Sequence, residues 1–436
     1  MPRVAFTTLG CKLNFAETST IGKQFLDRGY DQVEFGEETD VCVINTCSVT
    51  GRADRECRQL IRRALRGKGK PFVIVTGCYA QLDPSAIASI EGVDLVLGAQ
   101  EKFDLFRYIG PLEKNLYPHV FVSDIASIDN FGPAYSTEAG NRTRAYLKVQ
   151  DGCDFNCSFC TIPLARGGSR SQDVEACLAQ ARGLVAEGYK EIVLTGVNVG
   201  DYGKKTGSHL ITLLRQLVQI DGLRRVRISS IEPNLLSGET IDFVAQSDKM
   251  CKHFHIPLQS GCDEILRAMR RRYTTSQYAD LICRVNESLP GCGIGVDVIV
   301  GFPGETDTLF EQTHRFLTEL PVSYLHVFTY SERPNTPASG FGNAVEPKVR
   351  FHRSDVLRVL GMKKKHSFYS SMIGKTEAVL AEDDIDGPAR YGFTGNYVRV
   401  RLPAEKTSGN TFHQVRIVGV EDDLCVGSIE ECEVPA

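Results

Sequence analysis

The first 110 residues alternate between short apolar segments and longer segments with helical periodicity. The predicted strands are Val4–Leu9, Val41–Asn45, Phe72–Thr76 and Val93–Leu97, and the predicted helices are Phe15–Gly29 and Arg52–Arg66. Because alternating strands and helices are typical of a parallel sheet, we expect an α/β domain over residues 1–112.

A segment without clear periodicity follows, and a second strand–helix series comes after it. Residues 113–141 contain Pro118 and Pro133, which indicates a linker. The strands predicted in the second series are Ala145–Val149, Glu191–Leu194, Val226–Ser229, His253–Ile256, Ile294–Val300 and Tyr324–Thr329. Helical segments such as Val174–Glu187 and His209–Gln219 lie between them. This run of units predicts a partial (β/α)6 barrel over residues 142–371.

The tail from residue 372 changes to a two-residue period. Its predicted strands are Thr376–Ala381, Tyr397–Leu402, Gln414–Val420 and Gly427–Glu431. Alternation of this kind predicts a small antiparallel β-barrel over residues 372–436. The predicted fold class is therefore α/β with a separate C-terminal β-barrel.

Composition narrows the functional class. The 436 residues include 50 Lys and Arg against 54 Asp and Glu, so a net charge of −4 argues against nucleic-acid binding by overall charge. No apolar run approaches the roughly eighteen residues that span a bilayer, and the first residues lack a signal-peptide core. We therefore expect a cytoplasmic monomer that binds no membrane. In a reducing compartment, the 15 cysteines are expected to be metal ligands or core residues.

One cysteine group has the spacing of a metal-cluster ligand set. Cys153, Cys157 and Cys160 form a C-x₃-C-x₂-C run just past the first strand of the second series. Three cysteines on one loop are suited to three irons of a 4Fe–4S cube, which leaves the fourth iron open to a ligand. A zinc site is the alternative, but it usually has four closed ligands from paired motifs.

Three more cysteines follow strands of the first domain. Cys11, Cys47 and Cys78 come after the strands that end near Leu9, Asn45 and Thr76. Because the carboxyl ends of parallel strands lie along one edge, we expect the three thiols at the same edge. The alternative is that each is a small buried core residue.

The Cys153 motif, at the end of the first barrel strand, resembles the radical S-adenosylmethionine (SAM) superfamily. Further matching segments at strand ends are Thr195–Asn198, Ser229–Pro233, His255–Gly261 and Val300–Thr306. The resemblance implies that the open iron chelates SAM and that reductive cleavage releases a 5′-deoxyadenosyl radical. It gives a catalytic role to the cluster of Cys153, Cys157 and Cys160, and it suggests SAM contacts at Asn198, Ser229, Glu232 and Gln259. We interpret His255 as a packed strand residue.

Both cysteine sets together resemble the methylthiotransferase family. The motifs are Gly10-Cys11-Lys12-Leu13-Asn14, Asn45-Thr46-Cys47, Thr76-Gly77-Cys78 and the Cys153 triplet, and the tail resembles the RNA-binding TRAM module. The resemblance implies two 4Fe–4S clusters: an auxiliary cluster on Cys11, Cys47 and Cys78 that delivers sulfur, and the SAM cluster. It also implies a second SAM as methyl donor and a flavodoxin- or ferredoxin-type electron donor.

The residue after Cys11 points to a substrate. Gly-Cys-Lys-Leu-Asn resembles the branch that methylthiolates C2 of N6-threonylcarbamoyladenosine at position 37 of tRNA. The isopentenyladenosine branch tends to have Gln after this cysteine, and the branch acting on a ribosomal-protein aspartate has Pro, so Lys12 favours the first. Those two branches and a non-catalytic iron–sulfur RNA-binding protein remain as alternatives. Thr329–Pro337 resembles the family's closing motif, with Asn335 where Gly is common.

Local basic patches offer candidate RNA contacts. The patches are Arg52, Arg55, Arg58, Arg62, Arg63 and Arg66 on one helix, Arg270–Arg272, and Lys363–Lys365. The tail has 6 Lys and Arg against 12 Asp and Glu, so its net charge does not attract RNA. Arg399, Arg401 and Arg416, with Phe393 and Tyr397, could still form a contact strip.

Overall fold

The structure is a computed structural model that describes residues 1–110, 112–114, 117–136 and 143–430. A parallel α/β sheet, a parallel partial barrel and a small closed β-barrel follow one another along the chain. Parts of the predicted domains lie outside the described residues. They are positions 115–116 and 137–141 of the linker, residue 142 at the start of the barrel domain, and residues 431–436 at the end of the tail.

The N-terminal sheet has the strand order β2-β1-β3-β4-β5-β6 with parallel pairing throughout. Its strands are β1 (Arg3–Thr8), β2 (Asp31–Val33), β3 (Val41–Thr46), β4 (Phe72–Gly77), β5 (Leu95–Leu97) and β6 (His119–Phe121). Every residue of β3 and β4 is buried, which explains their continuous apolar sequences. The strands predicted for this domain are confirmed.

Two edge strands were not predicted from the sequence. β2 and β6 have three residues each, and none of those residues is fully buried, so neither has an apolar pattern to detect. β6 lies within the predicted linker 113–141 and pairs with β5. This part of the linker therefore extends the sheet.

Helices connect the strands of this sheet. They are α1 (Lys12–Leu26), α2 (Gly51–Leu65), α3 (Cys78–Leu82) and α4 (Pro84–Ala88). α1 begins immediately after Cys11, earlier than predicted, and α2 begins after Thr50, whose hydroxyl accepts a hydrogen bond from the Ala53 amide. The turns after β1, β3 and β4 are consequently short and hold their cysteines close to the sheet.

The central unit is a six-stranded partial barrel with a two-stranded hairpin at its rim. The strands are β7 (Arg144–Lys148), β8 (Gln150–Asp151), β9 (Arg170–Ser171), β10 (Glu191–Thr195), β11 (Arg225–Ile228), β12 (His253–His255), β13 (Gly293–Val300) and β14 (Tyr324–Thr329). The sheets β7-β10-β11 and β12-β13-β14 join through parallel bridges, among them Ser230 to His255. The predicted partial barrel is confirmed, and the cysteine loop lies between β8 and β9.

Helices surround this barrel and bury its outer face. They are α5 (Ile162–Arg166), α6 (Val174–Ala186), α7 (Leu210–Leu217), α8 (Gly238–Gln246), α9 (Asp263–Ala268), α10 (Thr275–Ser288), α11 (Asp307–Glu319) and α12 (Pro347–Ser370). Leu213, Val244 and Ile282 are fully buried members of the core that these helices form with the strands. Short 3₁₀ helices include Glu101–Arg107, Val199–Asp201 and Pro233–Leu235.

The N-terminal unit covers one edge of the barrel through α1. The ring of Phe15 on α1 lies 5.8 Å from the ring of Tyr146 on β7. The Thr20 hydroxyl of α1 also donates a hydrogen bond to the Tyr135 carbonyl. α1 thus brings the Cys11 edge of the sheet to the barrel.

The tail forms a closed barrel with the order β15-β16-β17-β19-β18. Its strands are β15 (Thr376–Asp386), β16 (Ala389–Phe393), β17 (Arg399–Pro403), β18 (Thr411–Glu421) and β19 (Leu424–Ile429). The prediction of a wholly antiparallel barrel is wrong in one pairing, because β17 and β19 are parallel. An odd number of strands cannot alternate direction all the way around a closed barrel. No helix in the described parts of the chain has the length and apolar character needed to cross a bilayer.

Candidate iron–sulfur and substrate site

Cys11, Cys47 and Cys78 lie at the carboxyl ends of β1, β3 and β4, which are neighbouring strands. Gly10 packs so closely on Cys47 that a side-chain carbon at position 10 would lie 2.8 Å from Cys47 Cβ and 2.9 Å from its Sγ. Gly10 also has φ of +105°, a conformation that favours glycine. The structure therefore places the three thiols together, as the strand pattern predicts.

Because the surroundings of these thiols disfavour charge, their thiolate forms need a positive partner. Burial, together with the neighbouring Cys78 and Cys11, raises the pKa of Cys47 to about 12. Burial also raises the pKa of Cys78, which the positive charge of Arg166 opposes. Cys11 caps α1 without a side-chain hydrogen bond, so the positive end of that helix faces the site. Such a donor set fits a bound iron–sulfur cluster, whose charge keeps thiolates ionised.

A buried network of charges lies between this edge and the barrel. The Glu17 carboxylate of α1 pairs with Lys102, Lys148 and Arg166 at 2.6, 3.1 and 2.9 Å. Arg166 also pairs with Asp151 at 2.9 Å. These cations hold the pKa of Glu17 far below its usual range, against the opposing effect of burial. Sequence patterns did not reveal this network, because its members come from four distant segments.

Cys153, Cys157 and Cys160 lie on the loop that leaves β8. Burial raises the pKa of Cys153 and of Cys160 to about 12 and also raises that of Cys157. The Phe155 amide donates a hydrogen bond to Cys153 Sγ at 3.4 Å, and Arg271 Nη1 donates one to Cys157 Sγ at 3.0 Å. The loop thus surrounds its sulfurs with donors, as iron-bound thiolates require.

One other group of potential metal ligands lies in the lumen of the barrel. In the described residues, ligand atoms of His255, Asp297 and His326 lie within 4.8 Å of one another.

The turns that carry the two triads touch each other. The Thr161 hydroxyl, next to Cys160, donates a hydrogen bond to the Ser48 carbonyl, next to Cys47, at 3.4 Å. A cavity of about 210 Å³ lies at this junction, lined by Val49 and Thr50 on one side and by Cys160 and Gln259 on the other. The turn after Cys47 and the Cys160 loop therefore border the same cavity.

The closing motif holds this junction in place. Arg333 Nη2 donates to Ser48 Oγ at 2.7 Å and pairs with Asp54 at 2.7 Å. Asn335 has φ of +64°, a left-handed conformation that Gly adopts readily and Asn tolerates. This conformation explains why Asn replaces Gly in this motif.

Two of the predicted SAM contacts leave polar atoms free for a ligand. Asn198 and Ser229 are buried beyond the carboxyl ends of β10 and β11, and Asn198 Nδ2 and Ser229 Oγ have no hydrogen-bond partner among the described residues. Asn198 Oδ1 is 3.3 Å from the Glu232 amide. Buried polar groups without partners are costly, so this wall fits a polar ligand such as SAM.

The other two predicted SAM contacts are Glu232 and Gln259, and the structure places them differently. The Glu232 carboxylate pairs with Arg271, the residue that also contacts Cys157. Gln259 has φ of +72°, and its backbone is bonded to Asp297 and Ile299, which directs the residue toward the cavity at the junction. Sequence reasoning missed Arg271, which appeared as part of a basic patch.

His255 lies on β12, in agreement with its interpretation as a strand residue, and both of its ring nitrogens have partners. Its Nε2 lies 2.9 Å from Asp297 Oδ1, and its Nδ1 lies 2.6 Å from Ser230 Oγ. The ring of His326 lies 5.6 Å from the ring of His255. The lumen of the barrel thus has a polar wall of histidines.

One of the predicted basic patches forms a groove. Arg58, Arg62 and Arg66 of α2 line a groove of about 670 Å³ together with Tyr79, whose hydroxyl accepts a hydrogen bond from Arg58 at 2.7 Å. Three arginines along one groove are suited to a phosphate backbone.

The other predicted RNA contacts are largely structural. Arg271 is buried against Glu232 and Cys157, and Lys364 donates to the Leu320 carbonyl at the end of α11. In the tail, Phe393 stacks on Tyr397 at 5.1 Å, and Arg144 and Arg227 of the barrel lie over these rings. The predicted strip is wrong for both aromatic residues, since they dock the tail onto the barrel.

Comparisons with known proteins agree with this geometry. A family model described as the radical SAM superfamily matches residues 147–317, and one described as uncharacterized protein family UPF0004 matches residues 3–98. The threonylcarbamoyladenosine tRNA methylthiotransferase MtaB of Bacillus subtilis is 40% identical over 406 residues, which cover 92% of this chain and 90% of the relative. The chain belongs to the methylthiotransferase family.

A second relative and one solved structure extend the comparison. The protein of the same name from Aquifex aeolicus is 37% identical and covers 93% of this chain, with 98% of its own length matched. The radical S-adenosylmethionine methyltransferase TsrM from Kitasatospora setae shares the fold, with a TM-score of 0.56, 15% identity and 77% of each chain covered. Membership of the radical SAM superfamily implies SAM and a 4Fe–4S cluster, and the UPF0004 match includes Cys11, Cys47 and Cys78.

Proposed function

We propose that the chain is a threonylcarbamoyladenosine tRNA methylthiotransferase. It replaces the hydrogen at C2 of N6-threonylcarbamoyladenosine, at position 37 of tRNA, by a methylthio group. The observation that carries the proposal is the contact between the two cysteine turns, Thr161 to Ser48, beside one cavity. The same activity in two relatives matched over nearly their full length supports the substrate.

The residues divide the work between two clusters. Cys153, Cys157 and Cys160 would hold the SAM cluster, and Cys11, Cys47 and Cys78 the auxiliary cluster. With SAM bound, the first cluster would supply hydrogen abstraction and the second the sulfur, while SAM would also supply the methyl group. Asn198 and Ser229 offer hydrogen bonds to SAM, and Arg271 donates to the Cys157 sulfur.

The fold around the clusters controls access. α1 packs on β7, so the base must enter a chamber that is walled by the barrel and by the auxiliary-cluster edge. The buried network of Glu17, Arg166 and Asp151 keeps these two walls in register. α2 begins after the Cys47 turn, and the arginine groove along its second half is suited to the tRNA backbone.

The same proposal includes a cytoplasmic monomer supplied by a flavodoxin- or ferredoxin-type electron donor. Several free cysteines are fully buried, among them Cys57, Cys177 and Cys425, and this usage suits a reducing compartment. Reductive chemistry at an iron–sulfur cluster needs a one-electron donor of low potential.

The test is methylthiolation by the reconstituted holoenzyme under anaerobic conditions. The enzyme, SAM and a reductant are incubated with tRNA that carries threonylcarbamoyladenosine, and the nucleosides are analysed by mass spectrometry. We expect the 2-methylthio nucleoside to appear. Replacing all three cysteines of either triad by Ala should abolish it and leave about four of about eight irons per chain.

Other outcomes point to the alternatives. Product on isopentenyladenosine tRNA alone would preserve the reaction and overturn the substrate. Product on a ribosomal protein with no change in tRNA would overturn the tRNA assignment. Full iron content without cleavage of SAM would indicate a non-catalytic iron–sulfur RNA-binding protein.

A further inference from the structure

Lys12 directly follows Cys11, and the charged groups nearest to it belong to the barrel strands and the tail. Its electrostatic neighbours include Arg144 on β7, Arg227 on β11 and Tyr397 of the tail, and it also acts on His326 of β14. Since these neighbours belong to strands on both sides of the barrel, the ammonium lies between them. Solvent still reaches the residue, so it borders an open chamber rather than a packed core.

The other cations of this chamber already have partners. Arg227 pairs with Glu191 at 2.8 Å and donates to the carbonyls of Thr394 and Gly395. Arg144 pairs with Glu382 at 3.2 Å. For Lys12 Nζ, the described part of the chain provides no hydrogen bond and no ion pair. Its charge is therefore available to a ligand.

His326 is a second free group on the same wall. Its ring lies 5.6 Å from His255 and 5.2 Å from Tyr324. Both ring nitrogens of His255 are hydrogen-bonded, one to Asp297 and one to Ser230, so neither is available to a ligand. A ring nitrogen of His326 lies within 4.8 Å of a carboxylate oxygen of Asp297, but the His326 nitrogens have no hydrogen bond among the described residues, so its N–H is available to a ligand.

The threonylcarbamoyl group of the proposed substrate has the chemistry to bind Lys12 and His326. A threonylcarbamoyl group ends in a carboxylate with a hydroxyl nearby, whereas an isopentenyl group has neither. A carboxylate between an ammonium and an imidazole N–H gains charge-assisted hydrogen bonds. An apolar group next to Lys12 would displace water from the ammonium without replacing its hydrogen bonds, which is costly.

We propose that Lys12 and His326 form a carboxylate subsite that recognises the threonyl group of the substrate nucleoside. The inference rests on the proposed function and specifies how its substrate is selected. Because Lys12 adjoins Cys11, the contact that selects the substrate also fixes the nucleoside beside the auxiliary cluster. Lys12 and His326 are positioning residues that do not react.

The test compares RNA hairpins whose modified adenosine carries the free threonyl acid, its methyl amide, or an isopentenyl group. Holoenzyme binding and kcat/KM are measured for the natural chain and for K12Q, K12R and H326F. K23Q is the matched control, since Lys23 lies on the same helix, is half-exposed and pairs with Glu187 outside the lumen. We expect the natural chain and K23Q to prefer the acid over the amide by on the order of 100-fold.

In K12Q the preference for the acid over the amide should fall to a few-fold, and in K12R it should be intermediate. H326F should act on the acid less well, with no change on the amide. Iron content and the KM for SAM should stay unchanged. Equal losses on acid and amide, or a raised KM for SAM in K12Q, would overturn the subsite. If no hairpin is methylthiolated, the proposed function fails, while the binding preference still decides the subsite.

Discussion

Arg166 Nη1 lies 2.9 Å from Oε1 of Glu17, although 149 residues separate them in the chain. The contact joins the helix after the SAM-cluster loop to the helix that begins at the auxiliary-cluster edge. Arg166 also acts on the thiolates of Cys78 and Cys11. One guanidinium therefore joins the helix after the Cys153 loop to α1 and also places positive charge beside Cys78 and Cys11.

Removing the charge of Glu17 should destabilise the protein strongly. In E17Q, the buried Lys102, Lys148 and Arg166 lose a shared anion, and we expect a loss of about 3–5 kcal/mol in the free energy of unfolding. Urea unfolding of the holoenzyme under anaerobic conditions measures it. E187Q breaks an exposed pair with Lys23 and should cost less than about 1 kcal/mol. Equal effects of the two substitutions would contradict this view of the network.

Replacing Arg271 should change the potential of the SAM cluster. The guanidinium donates to Cys157 Sγ at 3.0 Å and adds positive charge, both of which stabilise the reduced cluster. We expect R271Q to lower the midpoint potential by roughly 50 mV in a titration followed by electron paramagnetic resonance. R271K should shift it less, and R270Q, at the exposed neighbouring residue, should leave it unchanged. An unaltered potential in R271Q would rule out this tuning.

A methyl group at Gly10 should prevent assembly of the auxiliary cluster. The added carbon would lie 2.8 Å from Cys47 Cβ, at a φ that disfavours side chains. We expect G10A to retain about four irons per chain in place of about eight. G29A, also at positive φ but with open space around it, is the control for backbone strain and should keep its iron. Full iron content in G10A would show that the close contact is dispensable.

Cys57 should prove to be structural despite its position. Burial raises its pKa to about 12, and its Sγ donates a hydrogen bond to the Cys47 carbonyl at 3.3 Å. We therefore expect C57A to keep both clusters, whereas C47A should lose about half of the iron. Iron analysis with quantitative sulfide measures both. Loss of iron from C57A would add this cysteine to the auxiliary site.

The arginine groove of α2 should contribute to tRNA affinity through phosphate contacts. In R62Q/R66Q we expect weaker tRNA binding, and the slope of log K against log salt should become shallower by up to about 2. Fluorescence anisotropy at several salt concentrations measures both quantities. R215Q, at an exposed arginine of α7 that pairs with Glu239, serves as the control. An unchanged slope in the double variant would place the tRNA elsewhere.

The sequence predicted the features that depend on neighbours in the chain. Continuous apolar runs identify β3 and β4 because strands of a covered parallel sheet are buried on both faces. Cysteines that follow such strands must share an edge, so the order of residues is enough to locate the Cys11 and Cys153 sets. The edge strand β6 escaped detection because it is short and exposed.

Tertiary structure decided what each polar residue faces. Arg271 and Phe393 have the sequence signature of RNA contacts, yet the fold turns one toward Cys157 and the other toward Arg144. Lys12 could be recognised from sequence as a branch marker, but its place in the lumen depends on strands more than 130 residues away. The physical reason is that periodicity reports the burial of neighbouring residues, whereas an ion pair or an open subsite requires groups that only folding brings together.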